Sequence, residues 1–308
     1  MISEQLKYCL PLLLMSFLPV SGCGDKEKSS GDGGFDGGSD TDTSTDAGTD
    51  TDTGTNADID TVPCEEGATE SGTGGTTWVT ICSGTFDMGS TEYPKEQPIH
   101  SVTVSTFELT KTEVTVTQYG ECVVAGACSK PATTKTCAKD YFGNWGATGH
   151  ENDPVNCVNW SQAKAFCTWI GGRLPSESEW EYAASNGSAK NKYPWGDEKA
   201  TCDYAVMDDF DGRGCGTERT WAVCSKTAGN TSHGLCDMAG NVTEWVQDLF
   251  HSDYTGAPSD GSAWEDSGSS RVLRGNDFNG SFNELRSANR ESMSPIFKEY
   301  NYGIRCAR

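Results

Sequence analysis

The feature that most constrains this chain is its cysteine content. It holds 14 cysteines in 308 residues, and 12 of them lie beyond residue 63. An even number of cysteines in an exported domain is typical of disulfides. A metal site is less favoured, because the sequence has no Cys-x-x-Cys pair and its histidines lack ligand spacing. Short separations favour the pairs Cys64–Cys82 and Cys122–Cys128 and leave the other pairings open. We therefore expect a fold in which covalent bridges hold long loops.

The first residues are typical of an export signal. Leu10 to Val20 is mostly apolar and too short to span a bilayer. It is followed by Val20-Ser21-Gly22-Cys23, which resembles the lipobox of bacterial lipoproteins. We interpret residues 1–22 as a lipoprotein signal peptide and Cys23 as the lipidation site, the alternative being an ordinary signal peptide with a chance cysteine. Acyl chains on Cys23 would anchor the protein to a membrane of the bacterial cell envelope, facing the periplasm or the exterior.

Residues 23–62 form an acylated cysteine followed by an Asp/Thr/Gly-rich segment. From residue 24 onward it holds eleven acidic residues against two lysines and almost no apolar side chains. Such a segment is predicted to be a disordered, self-repelling tether. A calcium-binding tail is the alternative, but the segment lacks the glycine and glutamate of an EF-hand loop. The whole chain has a net charge of −22, which argues against nucleic acid as a partner.

Residues 63–308 are predicted to form one α+β domain. Alternating β-branched or aromatic residues predict strands over Thr77–Phe86 and Ile99–Leu109. Helices are predicted after an N-cap at Thr115, from Ser161, and after a capping box that begins at Ser176. Beyond residue 187 the sequence is rich in turn residues, so much irregular structure is expected.

Several short motifs occur in a fixed order along this domain. They are Phe86-Asp87-Met88-Gly89-Ser90, Glu113-Val114-Thr115, Val158-Asn159-Trp160, Gly172-Arg173-Leu174-Pro175-Ser176-Glu177, Pro194-Trp195-Gly196, Arg274-Gly275, Gly303-Ile304-Arg305 and the run from Gly234 to Trp245. The ordered set resembles the sulfatase-modifying factor domain of formylglycine-generating enzymes over residues 76–308. This resemblance implies a disulfide-rich, C-type-lectin-like α+β fold and a bridge between Cys167 and Cys306.

One motif predicts a calcium site. Asp237 and Glu244 flank a glycine-containing turn, so their carboxylates and the carbonyls of Gly240 and Val242 could converge on a hard cation. The resemblance implies a structural calcium ion at these same four residues. The alternative is a helix N-terminus with Asp237 as its cap and Glu244 in solvent.

The catalytic chemistry of the family is not expected to carry over. The resemblance implies two cysteines that bind copper(I) between Arg274-Gly275 and Arg290, and residues 275–290 contain none. No other residue type there replaces a thiolate at copper(I). We therefore assign no catalytic residue and expect no copper. An oxidoreductase of the formylglycine-generating type that modifies exported proteins remains the alternative.

The segment without cysteines has a composition suited to binding. It combines aromatic residues with Asn, Asp and Ser, as in many paratopes. The predicted ligand-binding residues are Asn276, Asp277, Phe278, Asn279, Ser281, Phe282, Asn283, Tyr300 and Tyr302. We expect an unknown protein or small molecule as the ligand. The composition also resembles that of variable proteins diversified by retroelements, which is a second alternative to a fixed specificity.

Four arginines flank this segment. Arg274, Arg286, Arg290 and Arg305 could line an anion pocket, but in an acidic domain they are expected to pair with buried carboxylates. Glu113 and Glu179 are the partners that the sequence suggests.

Overall fold

The structure is a computed structural model that describes residues 63–133, 137 and 143–308. The predicted signal peptide, the lipidation site Cys23 and the tether lie outside the described residues. Within the described ranges, no helix is long and apolar enough to cross a bilayer.

Three α-helices follow the local signals of the sequence. They are α1 (Val116–Val124), α2 (Trp160–Trp169) and α3 (Glu177–Ala184). Each begins with a reciprocal capping box, with Thr115, Asn159 and Ser176 as the N-caps. The first and third helices are confirmed. The second starts one residue earlier than predicted, because Asn159 rather than a later residue caps it.

Nine strands form three sheets in the described ranges. The strands are β1 (Thr69–Ser71), β2 (Thr77–Ile81), β3 (Gly84–Met88), β4 (His100–Val104), β5 (Phe107–Thr110), β6 (Thr243–Leu249), β7 (Arg271–Arg274), β8 (Arg290–Met293) and β9 (Tyr302–Gly303). The sheet orders are β1-β2-β5, β3-β4 and β8-β7-β6-β9. All neighbours are antiparallel except β6 and β9, which are parallel.

The two predicted long strands are wrong in their extent, because each is divided into two shorter strands in the structure. β2 pairs with β5 while β3 pairs with β4, so the chain changes sheets twice. At the first break Cys82 is bonded to Cys64. The next residue, Ser83, donates its backbone N–H to the Thr106 hydroxyl at the second break, at 3.1 Å. The two breaks thus face each other, which the alternation of apolar residues does not reveal.

All twelve cysteines of the described domain form disulfides. The bridges are Cys64–Cys82, Cys122–Cys128, Cys137–Cys157, Cys167–Cys306, Cys202–Cys215 and Cys224–Cys236. The three predicted pairs are therefore confirmed. The last two bridges lie in residues 185–242, which contain only two short 3₁₀ turns. Covalent links thus stabilise the irregular half of the domain.

Helix α3 is enclosed on every side. All eight of its residues are buried, including Glu177, Glu179 and Glu181. It packs against β3, β4, β6 and β7, and Trp180 is fully buried. Because buried carboxylates are costly unless paired, this helix requires cations from neighbouring segments.

Candidate functional site

The predicted binding segment is the loop that connects β7 to β8. It leaves β7 through two left-handed residues, Gly275 with φ 88° and Asn276 with φ 56°. A Cβ atom on Gly275 would lie 3.1 Å from the buried ring of Trp180. Glycine at this position therefore allows the loop to turn sharply over α3.

Buried Arg274 holds the returning half of the loop. Its guanidinium donates to the Glu181 carboxylate at 2.5 Å and to the backbone carbonyls of Ser287 and Asn289, each at 2.9 Å. A charge-assisted pair of this kind is among the stronger polar contacts in proteins. The loop is thus fixed from below by a side chain of the strand that precedes it.

Two further arginines complete this support. Arg286 makes two parallel hydrogen bonds to Glu96, both at 2.8 Å. Arg290 binds Glu177 in the same way, at 2.6 and 2.8 Å. The expectation that the flanking arginines pair with buried carboxylates is confirmed.

The carboxylates suggested by the sequence are wrong. Glu179 pairs with Arg173 at 2.6 Å. Glu113 accepts hydrogen bonds from the Asn241 amide at 2.6 Å and the Val242 backbone at 3.0 Å. The reason is geometric, because Glu179 faces the turn before α3 rather than the loop. The fourth arginine, Arg305, pairs with Glu244 at 2.8 Å.

Asp277 joins the loop to the C-terminal segment. Its buried carboxylate accepts hydrogen bonds from Asn279 at 2.6 and 2.8 Å, from the Thr243 hydroxyl at 3.1 Å and from the Asn301 amide at 2.7 Å. Burial raises the pKa of this carboxyl. The ring of Phe278 lies 5.9 Å from that of Tyr300. The two separate stretches of predicted binding residues are therefore adjacent.

The predicted set divides into an inner and an outer group. Asn276, Asp277, Phe278 and Tyr302 are buried, because they anchor the loop to its neighbours. The outer group is Asn279, Ser281, Phe282, Asn283 and Tyr300, which we call the loop surface. Phe282 exposes 37% of its area, although aromatic rings are usually covered. A diversified protein would have only the loop surface free to vary without disturbing the core.

A segment that the sequence did not assign borders the loop surface. The Lys199 ammonium lies 4.0 Å from the centre of the Phe282 ring. Asp208 and Gly214 donate backbone N–H groups to Gly280 and Phe278, at 2.9 and 2.7 Å. Residues 199–214 have no periodicity that could have predicted this position. The bridge between Cys202 and Cys215 that closes this segment is likewise a pairing that the sequence left open.

Copper(I) has no thiolate ligand among the described residues. The loop between β7 and β8 contains no cysteine, and every described cysteine is already in a disulfide. A disulfide sulfur is not the thiolate that copper(I) prefers. The family's oxygen-activating chemistry therefore has no thiolate pair in the part of the chain that the structure describes.

The predicted calcium ligands do not fit the ion in this arrangement. Glu244 is buried and accepts from Arg305 and from the Trp180 indole, the latter at 2.6 Å, so both of its oxygens are occupied. Asp237 accepts from the Cys224 backbone at 2.5 Å. The helical alternative is wrong, because the chain enters strand β6 at Thr243 and Glu244 is not in solvent.

Three buried carboxyl groups and one arginine lie close together at this place. Glu113, Asp237 and Glu244 are all buried near Arg305. Burial, together with the charges of Asp237 and Glu244, raises the pKa of Glu113 well above its usual value. Burial raises the pKa of Asp237 to about 6. In the described ranges, no three His, Cys, Asp or Glu side chains are grouped to hold a metal.

Two solved structures define the fold class. PvdO from Pseudomonas aeruginosa matches with a TM-score of 0.66 and 28% identity over 79% of this chain and 98% of that protein. Treponema denticola variable protein 1 matches with a TM-score of 0.61 and 25% identity over 75% of this chain and 94% of that protein. The predicted α+β, disulfide-rich fold of the sulfatase-modifying factor class is thereby confirmed.

The family follows from the sequence itself. The sulfatase-modifying factor enzyme 1-like domain matches residues 66–308, so the chain belongs to this family. The formylglycine-generating enzyme of Streptomyces coelicolor is 37% identical over 169 residues, which cover 52% of this chain and 54% of that enzyme. The chain thus spans about half the length of this curated relative.

Replacing Arg274 by Gln is expected to destabilise the domain by about 3–5 kcal/mol, because it leaves Glu181 buried without its cation. Lys190→Gln is the control. Lys190 lies 3.9 Å from Asp87 and both side chains are largely exposed, so its loss should cost less than about 1 kcal/mol. Denaturant unfolding measures both values. Equal losses would show that Arg274 does not support the loop.

The melting temperature should be the same in EDTA as in excess calcium, because Arg305 already occupies Glu244. Differential scanning calorimetry at neutral pH provides the measurement, with magnesium as the control ion. A rise of several degrees with calcium alone would contradict the arrangement described and restore the predicted ion.

Proposed function

We propose that this protein is a non-catalytic, ligand-binding member of the sulfatase-modifying factor family, attached to the bacterial envelope by a lipid. The observation that carries the proposal is the use of all described cysteines in bridges, with none in the loop between β7 and β8. The framework of the family remains while the thiolate ligands for copper(I) are absent from the described residues. What remains at this place is a rigid loop with an exposed polar and aromatic edge.

The loop surface has the properties of a preorganised binding site. Its base is fixed by buried ion pairs, so ligand binding does not carry the entropy cost of ordering the loop. Phe282 supplies an exposed aromatic contact, and Asn279, Ser281 and Asn283 supply hydrogen-bonding groups. Aromatic residues of this kind dominate the energetics of many interfaces. The chemistry favours a protein or a hydroxylated small molecule as the ligand.

The catalytic alternative is tested with a peptide that contains Cys-x-Pro-x-Arg. Incubation with copper(I) and oxygen should leave the peptide mass unchanged, because no thiolate pair binds the metal. The Streptomyces coelicolor enzyme serves as the positive control. Conversion of the peptide cysteine to an aldehyde, observed by mass spectrometry, would overturn the proposal.

The binding role is tested on glycan and peptide arrays with the full chain in detergent. Any saturable ligand whose affinity is unchanged by Arg219→Gln, a substitution outside the loop surface, should bind at least about tenfold more weakly to the variant F282A/N283A, which removes the exposed contacts. Val124→Ala is the matched control, because Val124 is 90% exposed on α1 and lies outside the loop. Equal weakening by both variants, or by neither, would remove the loop surface as the site.

The anchor makes a separate prediction that rests on the sequence. Cys23→Ser should move the protein from the membrane fraction to the soluble fraction of an expressing bacterium, because the acyl chains are lost. The chain with Cys9→Ser, which changes only the signal peptide, should stay with the membrane. Retention of the Cys23→Ser protein in membranes would contradict lipid anchoring.

A further inference from the structure

A second concave site lies outside the loop surface. It is an open pocket of about 260 Å³ between residues 149–153 and 217–225. The residues that matter for its chemistry are His150, Asp153, Arg219, Trp221 and Ser225. We call it the Arg219 pocket. None of its lining residues belongs to the loop surface, so binding in this pocket is independent of the proposed function.

Arg219 differs from most arginines of the domain. All nine arginines of the chain are described, and seven of them pair with carboxylates: Arg173, Arg271, Arg274, Arg286, Arg290, Arg305 and Arg308. Arg213 is exposed to solvent. Arg219 is partly buried, and its Nε atom is buried without a hydrogen-bond partner among the described residues.

A partly buried guanidinium whose Nε–H lacks a described acceptor is costly. Leaving a buried N–H group without an acceptor costs about 1–3 kcal/mol, and more if the group is charged. The chain has 45 acidic residues, yet none of the described ones pairs with Arg219 in the way that the other buried arginines are paired. An external anion in the pocket would supply the guanidinium with a counter-charge.

The neighbouring side chains limit the charge of that anion. His150 places Nδ1 at 2.6 Å from the Asp153 carboxylate, which orients the ring and occupies this acid. With Asp153 engaged in this way, Arg219 is the cation among the described lining residues that has no carboxylate partner. One guanidinium matches one carboxylate, which it can bind through two parallel hydrogen bonds.

The remaining wall suits the body of a small molecule. The indole N–H of Trp221 donates to the Gly214 carbonyl at 3.1 Å and to the Thr217 hydroxyl at 3.0 Å, so the ring is fixed. The Lys226 ammonium lies 4.2 Å from the centre of this ring. Ser225 adds a hydroxyl at the edge. An aromatic surface beside hydroxyl groups binds sugar rings and short acyl chains.

We propose that the Arg219 pocket binds a small carboxylate-bearing molecule, with the carboxylate paired to Arg219 and its body against Trp221. A uronic acid and an N-acylated amino acid share this chemistry. Arg219 would bind the carboxylate, and the fixed Trp221 ring would select the body attached to it.

The test is isothermal titration of the full chain with glucuronate, N-acetylglycine and glucose. We expect saturable binding of at least one carboxylate and none of glucose, because only the carboxylates pair with Arg219. The stronger of the two carboxylates identifies the body that the Trp221 wall accepts. Binding of neither carboxylate, or equal binding of glucose and glucuronate, would overturn the proposal.

Two variants make the assignment specific. Arg219→Gln should weaken carboxylate binding by about tenfold or more. Its melting temperature should be no lower than that of the natural chain, because no ion pair with a described residue is lost. Arg213→Gln, a nearby exposed arginine, should leave the affinity within about twofold. Unchanged affinity in Arg219→Gln, or a clearly lower melting temperature, would show that Arg219 is not a ligand-binding residue.

Discussion

The buried ion pairs between α3 and the β7–β8 hairpin determine how the rest of the domain is arranged. Glu177 and Glu181 are four residues apart on α3 and therefore lie on one face of the helix. Arg274 and Arg290 are direct cross-strand partners in the hairpin. Each pair of like charges would repel alone. When the helix packs on the hairpin, each arginine lies next to a glutamate. Arg290 pairs with Glu177 at 2.6 Å and Arg274 pairs with Glu181 at 2.5 Å.

These ion pairs fix the relative position of helix and hairpin more than they add to stability. Replacing a whole buried ion pair by apolar residues often leaves stability unchanged, whereas removing one partner leaves the other charge buried and unpaired. The helix, the hairpin and the loop between its strands must therefore adopt one relative position. Arg286 extends the same constraint to Glu96. The loop base is thus independent of which side chains occupy the loop surface, so the framework is retained although the loop lacks the cysteines of the family.

Local signals predicted local structure well. The capping box at Ser176 and the short-range bridge Cys122–Cys128 depend on neighbouring residues and were correct. The inner and outer groups of the loop could not be separated from sequence. Asp277 is buried because Asn301, 24 residues away, donates to it, and Phe278 because Gly214 bonds to its carbonyl. The choice of Glu181 rather than Glu113 or Glu179 likewise depends on helix packing that no spacing rule encodes.

Asn241 connects the two surfaces for which we propose ligands. Its side-chain oxygen accepts the backbone N–H of Trp221 at 2.9 Å, and its backbone carbonyl accepts that of Phe278 at 3.1 Å. Its amide also donates to buried Glu113 at 2.6 Å. Asn241 adopts a left-handed conformation with φ 62°, which Asn tolerates better than most residues. One buried residue thus positions a wall of the Arg219 pocket and the inner turn of the loop. The hydrogen bonds of Asn241 go to Trp221, Phe278 and Glu113 rather than to exposed side chains, so residues on either proposed binding surface could change while this shared geometry is preserved.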